Sequence, residues 1–150
     1  WIKSVYPKNK DAMFYVFGVN KNNYSQKISF YKNHNIFFFG RVSKIKLRNI
    51  YSNSIGMICL GYDETFCLNA LEGNSCGLPI FTFGKTALNE LIHDNNNGII
   101  SNDFSQLALR LNKFLNSNFT IRKRYIKNSY NYSKKYTLDK IINHWIKLLK

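Results

Sequence analysis

Acidic side chains are scarce in this chain. Its 150 residues hold 22 Lys or Arg against eight Asp or Glu, a formal net charge of +14. Only three glutamates occur, Glu64, Glu72 and Glu90. Cysteine is rare too: Cys59, Cys67 and Cys76 sit in apolar or helical surroundings and form no Cys-x-x-Cys pair. That odd count and spacing argue against a disulfide framework or a zinc site and for reduced thiols in a cytosolic setting. With two prolines and eight glycines there is no Pro- or Gly-rich linker, and no internal repeat is found. No apolar run approaches the ~18 residues of a membrane span. The first residues lack the basic start, apolar stretch and small-residue cleavage site of a secretory signal. The opening residue is Trp1 rather than Met, which points to a piece of a longer protein.

What is present suits one domain with a real core: 45% hydrophobic and 16% aromatic residues. Apolar runs at 12–19 (AMFYVFGV), 36–40 (IFFFG), 55–60 (IGMICL) and 79–83 (PIFTF) read as buried strands. Helical patterns over 24–32, 44–53, 65–76 and about 86–93 alternate with them, and NNNG (95–98) turns into a further strand, GII. This alternation predicts an α/β fold, a Rossmann-like parallel sheet with helices on both faces. From residue 103 to 150 the pattern is a helical tail. Asp103 is placed to cap FSQLALRLNKFL and Thr137 to cap LDKIINHWIKLL. In the last helix Leu138, Ile141, Ile142, Trp145, Ile146 and Leu149 share one face.

Charge is unevenly spread. Residues 1–50 carry ten Lys or Arg against Asp11, residues 51–100 carry Lys85 against five acids, and residues 101–150 carry eleven against two. An anionic ligand beside an acidic-lined pocket fits this distribution. Between Arg48 and Lys85 there is no Lys or Arg, yet Glu64 and Glu72 both lie there, inside ETFCLNALEGNSCGLPI (64–80). A carboxylate without a local cation is a poor stabilising device. Such side chains read better as hydrogen-bond acceptors for hydroxyl groups, sugar hydroxyls among them. The stretch is predicted to run from loop to helix at the carboxyl end of a strand, where open α/β sheets bind ligands. Backbone amides around Thr65, Phe66, Cys67 and Leu68 would face an anion there. His34, His93 and His144 are far apart, and no metal-ligand spacing is found.

The run from Glu64 to Ile80 resembles the Glu-x7-Glu motif of retaining GT-B glycosyltransferases, the large group often called family four or group 1. Several features recur in order: Glu-x-Phe at the helix start, Leu71-Glu72 at its centre, and Gly77-x-Pro79 before an apolar strand. After them come a Gly84 loop, Glu90 with an apolar pair, and Asn97-Gly98 before another strand. YVFGV, IFFFG, YSNSIGMICL and the closing amphipathic helix also resemble the family's segments, so the likeness covers nearly the whole chain. It implies the second, donor-binding half of a GT-B fold, recognising a nucleotide-diphosphate sugar without a metal or other cofactor. Glu64 would then act at the donor sugar and Glu72 on the ribose hydroxyls. Thr65, Phe66, Cys67 and Leu68 would hold the distal phosphate, with Glu90 on a neighbouring loop. A glycan or lipid-linked acceptor would come from an amino-terminal domain missing here. The setting would be cytoplasmic, with peripheral contact to a membrane's inner face through basic surfaces.

Three departures stand out. Cys67 occupies a place usually glycine, and Gly73-Asn74-Ser75 replaces a small apolar run, which loosens the helix. The family's Arg and Lys for the diphosphate would lie upstream of Trp1. A competing reading concerns residues 122–136 (RKRYIKNSYNYSKKY), where basic residues alternate with tyrosines as in single-strand nucleic-acid binders. Its place before the terminal helix favours instead a surface helix with rings inward and lysines outward. An inactive nucleotide-binding fragment is the other alternative.

Overall fold

The computed structural model describes residues 11–18, 35–60, 66–83 and 87–149. The expected helix at 24–32, Glu64, Thr65, the Gly84 turn and Lys85 lie outside them. Five strands and six α-helices are found among the described residues: β1 Phe14–Val16, β2 Ile36–Phe38, α1 Lys44–Ser52, β3 Met57–Ile58, α2 Leu68–Ser75 and β4 Ile80–Phe83, followed by α3 Leu88–Leu91, β5 Gly98–Ser101, α4 Phe104–Leu115, α5 Phe119–Ser133 and α6 Leu138–Leu148. A 3-10 turn, Lys134–Tyr136, joins α5 to α6.

All pairings between strands are parallel, as the continuous apolar runs require. β1 pairs with β2, and β4 lies between β3 and β5. Among the described residues no ladder joins the two groups. In β4 every residue is buried, so alternation assigns each side chain to a face rather than to core or water. Phe81 and Phe83 meet Ile99, Leu107, Ala108, Leu111, Phe114 and Tyr125 on one side. Ile80 meets Cys59, Cys67, Ala70, Leu88, Leu91 and Ile92 on the other. Both faces of the sheet are therefore covered, and the fold is α/β and Rossmann-like.

The elements are shorter than their apolar runs. β3 has two residues of the expected six, and α3 makes a single turn instead of spanning 86–93. An apolar run reports burial, whereas a strand exists only where a neighbour accepts its hydrogen bonds. Asp103 does cap α4, accepting from the Gln106 amide at 2.8 Å. Thr137 stands at the amino end of α6, but its side chain makes no capping bond. The tail is not uniform. α4 packs on β4 and β5, α5 packs on α2, and every residue of α6 is exposed, its shared apolar face included.

Glycines set how closely α2 lies on the sheet. A Cβ on Gly73 would stand 2.8 Å from Met57 Sδ and 3.3 Å from Ile80 Cδ1. Gly73 is thus a contact point against β3 and β4, which corrects the expectation that it merely loosens the helix. Gly77, at φ +85°, ends α2 in the left-handed region. The Leu78 amide then reaches the Gly73 carbonyl at 2.9 Å and the Gly77 amide reaches Asn74 at 2.9 Å, so Pro79 leads directly into β4.

Candidate functional site

The cavity nearest the expected binding residues lies between α1 and α2. It encloses about 300 Å³ and is lined by Lys44, Leu47, Arg48 and Tyr51 from α1, with Glu72, Ser75 and Cys76 from α2 and its end. That volume is at the lower end of small-molecule sites. The α1 residues recur at 44, 47, 48 and 51, one face of a helix. Ser43 starts the helix, its hydroxyl accepting from the Lys46 amide at 3.3 Å.

Glu72 stands one turn into α2, which begins at Leu68 rather than at residue 65. Its Oε1 accepts a hydrogen bond from Lys44 Nζ at 3.1 Å. The carboxylate is therefore not without a cation: one arrives from 28 positions upstream. The Lys44 side chain is 91% exposed and that of Glu72 41%, so the pair contributes about 0.2–1 kcal/mol at most to the fold. Below them, burial pushes the Tyr51 phenol up to about 12, with Cys59 and then Glu72 adding to the effect. Tyr51 is thus a neutral hydroxyl at the floor of the cavity over the whole physiological range.

The amino end of α2 is more exposed than an apolar helix suggests. Phe66 and Leu68 are 38% and 64% exposed, because only Ala70, Gly73 and Asn74 of the helix are buried against its neighbours. The Leu68 amide donates to the Phe66 carbonyl at 3.1 Å, while the Ala70 and Leu71 amides both reach the Cys67 carbonyl. Cys67, buried at the N-cap position, makes no side-chain capping bond. Phe66 leans on Tyr136, with ring centroids 6.1 Å apart, and this ties the helix start to the 3-10 turn after α5.

Glu90 is not part of the Glu72 cavity. It is exposed on α3, where its backbone carbonyl accepts from the Tyr132 hydroxyl at 2.7 Å. Burial, the Tyr136 hydroxyl and Glu90 together push the Tyr132 phenol up to about 12. The tyrosines of 122–136 divide. Tyr125 is buried, Tyr132 and Tyr136 are half-buried, and Tyr130 is exposed with Lys134 Nζ 4.4 Å above its ring. Lys135 covers Tyr132 at 4.5 Å. Rings were expected inward along this helix; Tyr130 points outward because the buried line of α5 runs through Tyr125, Ser129 and Ser133. Among the described residues, no three His, Cys, Asp or Glu are grouped to hold a metal ion. No helix among them is long and apolar enough to cross a membrane.

Comparison with known proteins decides the family. The profile of the family described as Glycosyl transferases group 1 matches residues 2–132. The chain belongs to that family. Its fold is found in the pneumococcal O-GlcNAc transferase GtfA, whose structure was determined with UDP and GlcNAc (TM-score 0.79, 20% identity, 98% of this chain and 31% of that one). It is found again in Anabaena HepE in complex with UDP and glucose (TM-score 0.80, 16% identity, 99% and 43%). The carboxyl-terminal domain of LpcC from Francisella tularensis, a group 1 family protein, matches at TM-score 0.72 and 22% identity, covering 91% of this chain and 77% of that one. No curated protein matches. The chain thus spans less than half the length of the two UDP-bound enzymes, and its sheet and helices correspond to a GT-B fold's Rossmann-like layer structure.

Lys44, Leu47 and Arg48 belong to no motif quoted for the group 1 resemblance, and Tyr51 only opens the segment YSNSIGMICL. Their helical spacing is the signal that finds them, once α1 is known to face Glu72.

Proposed function

We propose that this chain is the donor-binding half of a retaining GT-B glycosyltransferase. It would hold a nucleoside-diphosphate sugar while a second domain presents the hydroxyl of a glycan or lipid-linked acceptor. The observation that carries this reading is the Glu72 carboxylate at a cavity between α1 and α2, one turn below a helix start that its own side chain does not cap. A carboxylate there accepts from a ribose diol, and the helix amino end favours the diphosphate. Glu64, eight positions earlier, is assigned to the donor sugar. Phe66, Cys67 and Leu68 are assigned to the diphosphate with Thr65, and Glu90 to a neighbouring loop. No metal is assigned to the site, since helix dipoles and basic side chains supply the stabilisation of the departing diphosphate. We place the enzyme in the cytoplasm, in peripheral contact with the inner face of a membrane through its basic surfaces.

UDP, present in the GtfA and HepE structures, is the probe. Calorimetry of UDP with the Glu72→Gln variant is expected to show weaker binding by about 1–3 kcal/mol, one charge-assisted hydrogen-bonding group having been removed. Equal affinity would remove Glu72 from the site. In an enzyme carrying both domains, Glu64→Gln is expected to depress turnover more than binding, and full activity would refute its assignment.

A further inference from the structure

We infer, on the reading of Glu72 given above, that Lys44 is a positioning residue for the nucleotide. It holds the Glu72 carboxylate across the cavity mouth and offsets its charge once a nucleoside covers it.

The geometry leaves room for both partners. Among the described residues Lys44 Nζ engages Oε1 of Glu72, at 3.1 Å, and no other acceptor. Among the described residues Oε2 has no partner. A carboxylate offers about four lone-pair positions. One is used by the ammonium, and a vicinal diol needs two. Lys44 therefore need not leave for a ribose to bind. Its contact also limits rotation of the carboxylate, because Lys44 and Glu72 are anchored on different helices.

Timing follows from solvent exposure. With Lys44 91% exposed, water screens the pair in the free protein, and removing Lys44 costs the fold little. A nucleoside filling the cavity expels that water. Without Lys44 the carboxylate would then exchange its hydration for the diol's two hydrogen bonds alone, with no neutralising charge, which disfavours binding. A neighbouring ammonium prevents this. Arg48, one turn further along α1, also lines the cavity but makes no bond to Glu72, so it does not duplicate the role. The group 1 motif residues do not include Lys44, and nothing in the sequence around it marks it as a binding residue.

The test is calorimetry of UDP and of uridine with the 150-residue chain, its Lys44→Met, Lys44→Arg and Glu72→Gln variants, and the Lys44→Met/Glu72→Gln double variant. Lys44→Met is expected to weaken UDP and uridine alike, by about five-fold or more, with an unchanged melting temperature. Lys44→Arg is expected to restore binding to within about two-fold, since the cation is kept. In the Glu72→Gln background, Lys44→Met should have no further effect, because its action passes through the carboxylate. Unchanged or tighter binding by Lys44→Met overturns the inference. So does a loss confined to UDP, which would make Lys44 a direct phosphate ligand. If Glu72→Gln binds UDP normally, the ribose reading itself fails. If Glu72→Gln weakens binding while Lys44→Met does not, only the role of Lys44 is lost.

Discussion

Replacing Gly98 with alanine is expected to damage the layer on which the site rests. Gly98 opens β5 opposite Ile80 of β4. A Cβ built there lies 2.6 Å from Ile92 Cγ2 and closer still to the Ile80 carbonyl oxygen. Carbon atoms in contact prefer about 3.5–4.0 Å, so something must move by about 1 Å. The Ile92 methyl can turn away, but the Ile80 oxygen is backbone inside a buried parallel ladder. The strands must separate, or the clash persists. Overpacking of this kind costs about 3 kcal/mol, and loss of a strand glycine returns about 0.5–1 kcal/mol of chain entropy. The net destabilisation is about 2 kcal/mol, a large share of the ~5–15 kcal/mol that holds a domain together. With a urea slope of about 2 kcal/mol/M, the unfolding midpoint should fall by about 1 M. Circular dichroism across a urea series measures this. Gly40→Ala is the control, because no atom of the described residues lies within 4 Å of its Cβ position. It should leave the midpoint unchanged or raise it slightly. A Gly98→Ala midpoint within about 0.3 M of the parent would refute the close approach of β4 and β5.

Two further outcomes follow from buried groups. Asn97→Ala removes a buried amide whose Oδ1 accepts from the His93 amide at 2.6 Å and whose Nδ2 donates to the Leu91 carbonyl at 2.8 Å. Each group stranded without a partner costs about 1–3 kcal/mol, so a thermal melt should shift down clearly, and an unshifted melt would show that water replaces the amide. Tyr51 keeps its proton in the folded state up to about 12, against an ordinary value of 10.0. Its contribution to stability is therefore complete below pH 10 and is lost between 10 and 12, as the unfolded chain ionises first. Tyr51→Phe should decline less steeply than the parent in urea midpoints measured across that window; parallel profiles would contradict the burial of the phenol.

The parts of the fold that were legible from sequence are those set by neighbours along the chain. Asp103 caps α4 because its carboxylate needs only the amide three residues on. Gly77-x-Pro79 ends α2 and starts β4 because a positive φ and a residue without an amide hydrogen act locally. Gly73 was not legible in the same way. As a letter inside a helix it signals weakness, and only the position of Met57 and Ile80 shows that the missing side chain is what allows α2 to lie on the sheet. α6 has the same asymmetry. Its apolar face is plain in the spacing of Leu138, Ile141, Trp145 and Leu149, but spacing states that a face is apolar, not what lies against it.

The candidate site divides along the same line. Glu72 was visible because a chemical pattern, two carboxylates eight positions apart before Gly-x-Pro, is contained within seventeen consecutive residues. Its partner Lys44 was not, because the partner depends on which face of α1 lies opposite α2. That in turn depends on how β3 is registered against β4, Met57 beside Ile80, since β3 follows α1 and β4 follows α2. A stretch free of Lys and Arg along the chain is consequently no guide to whether a carboxylate is paired in space. The absence of nearby cations in sequence marks Glu72 as unusual, while the 3.1 Å contact shows that its partner comes from another helix.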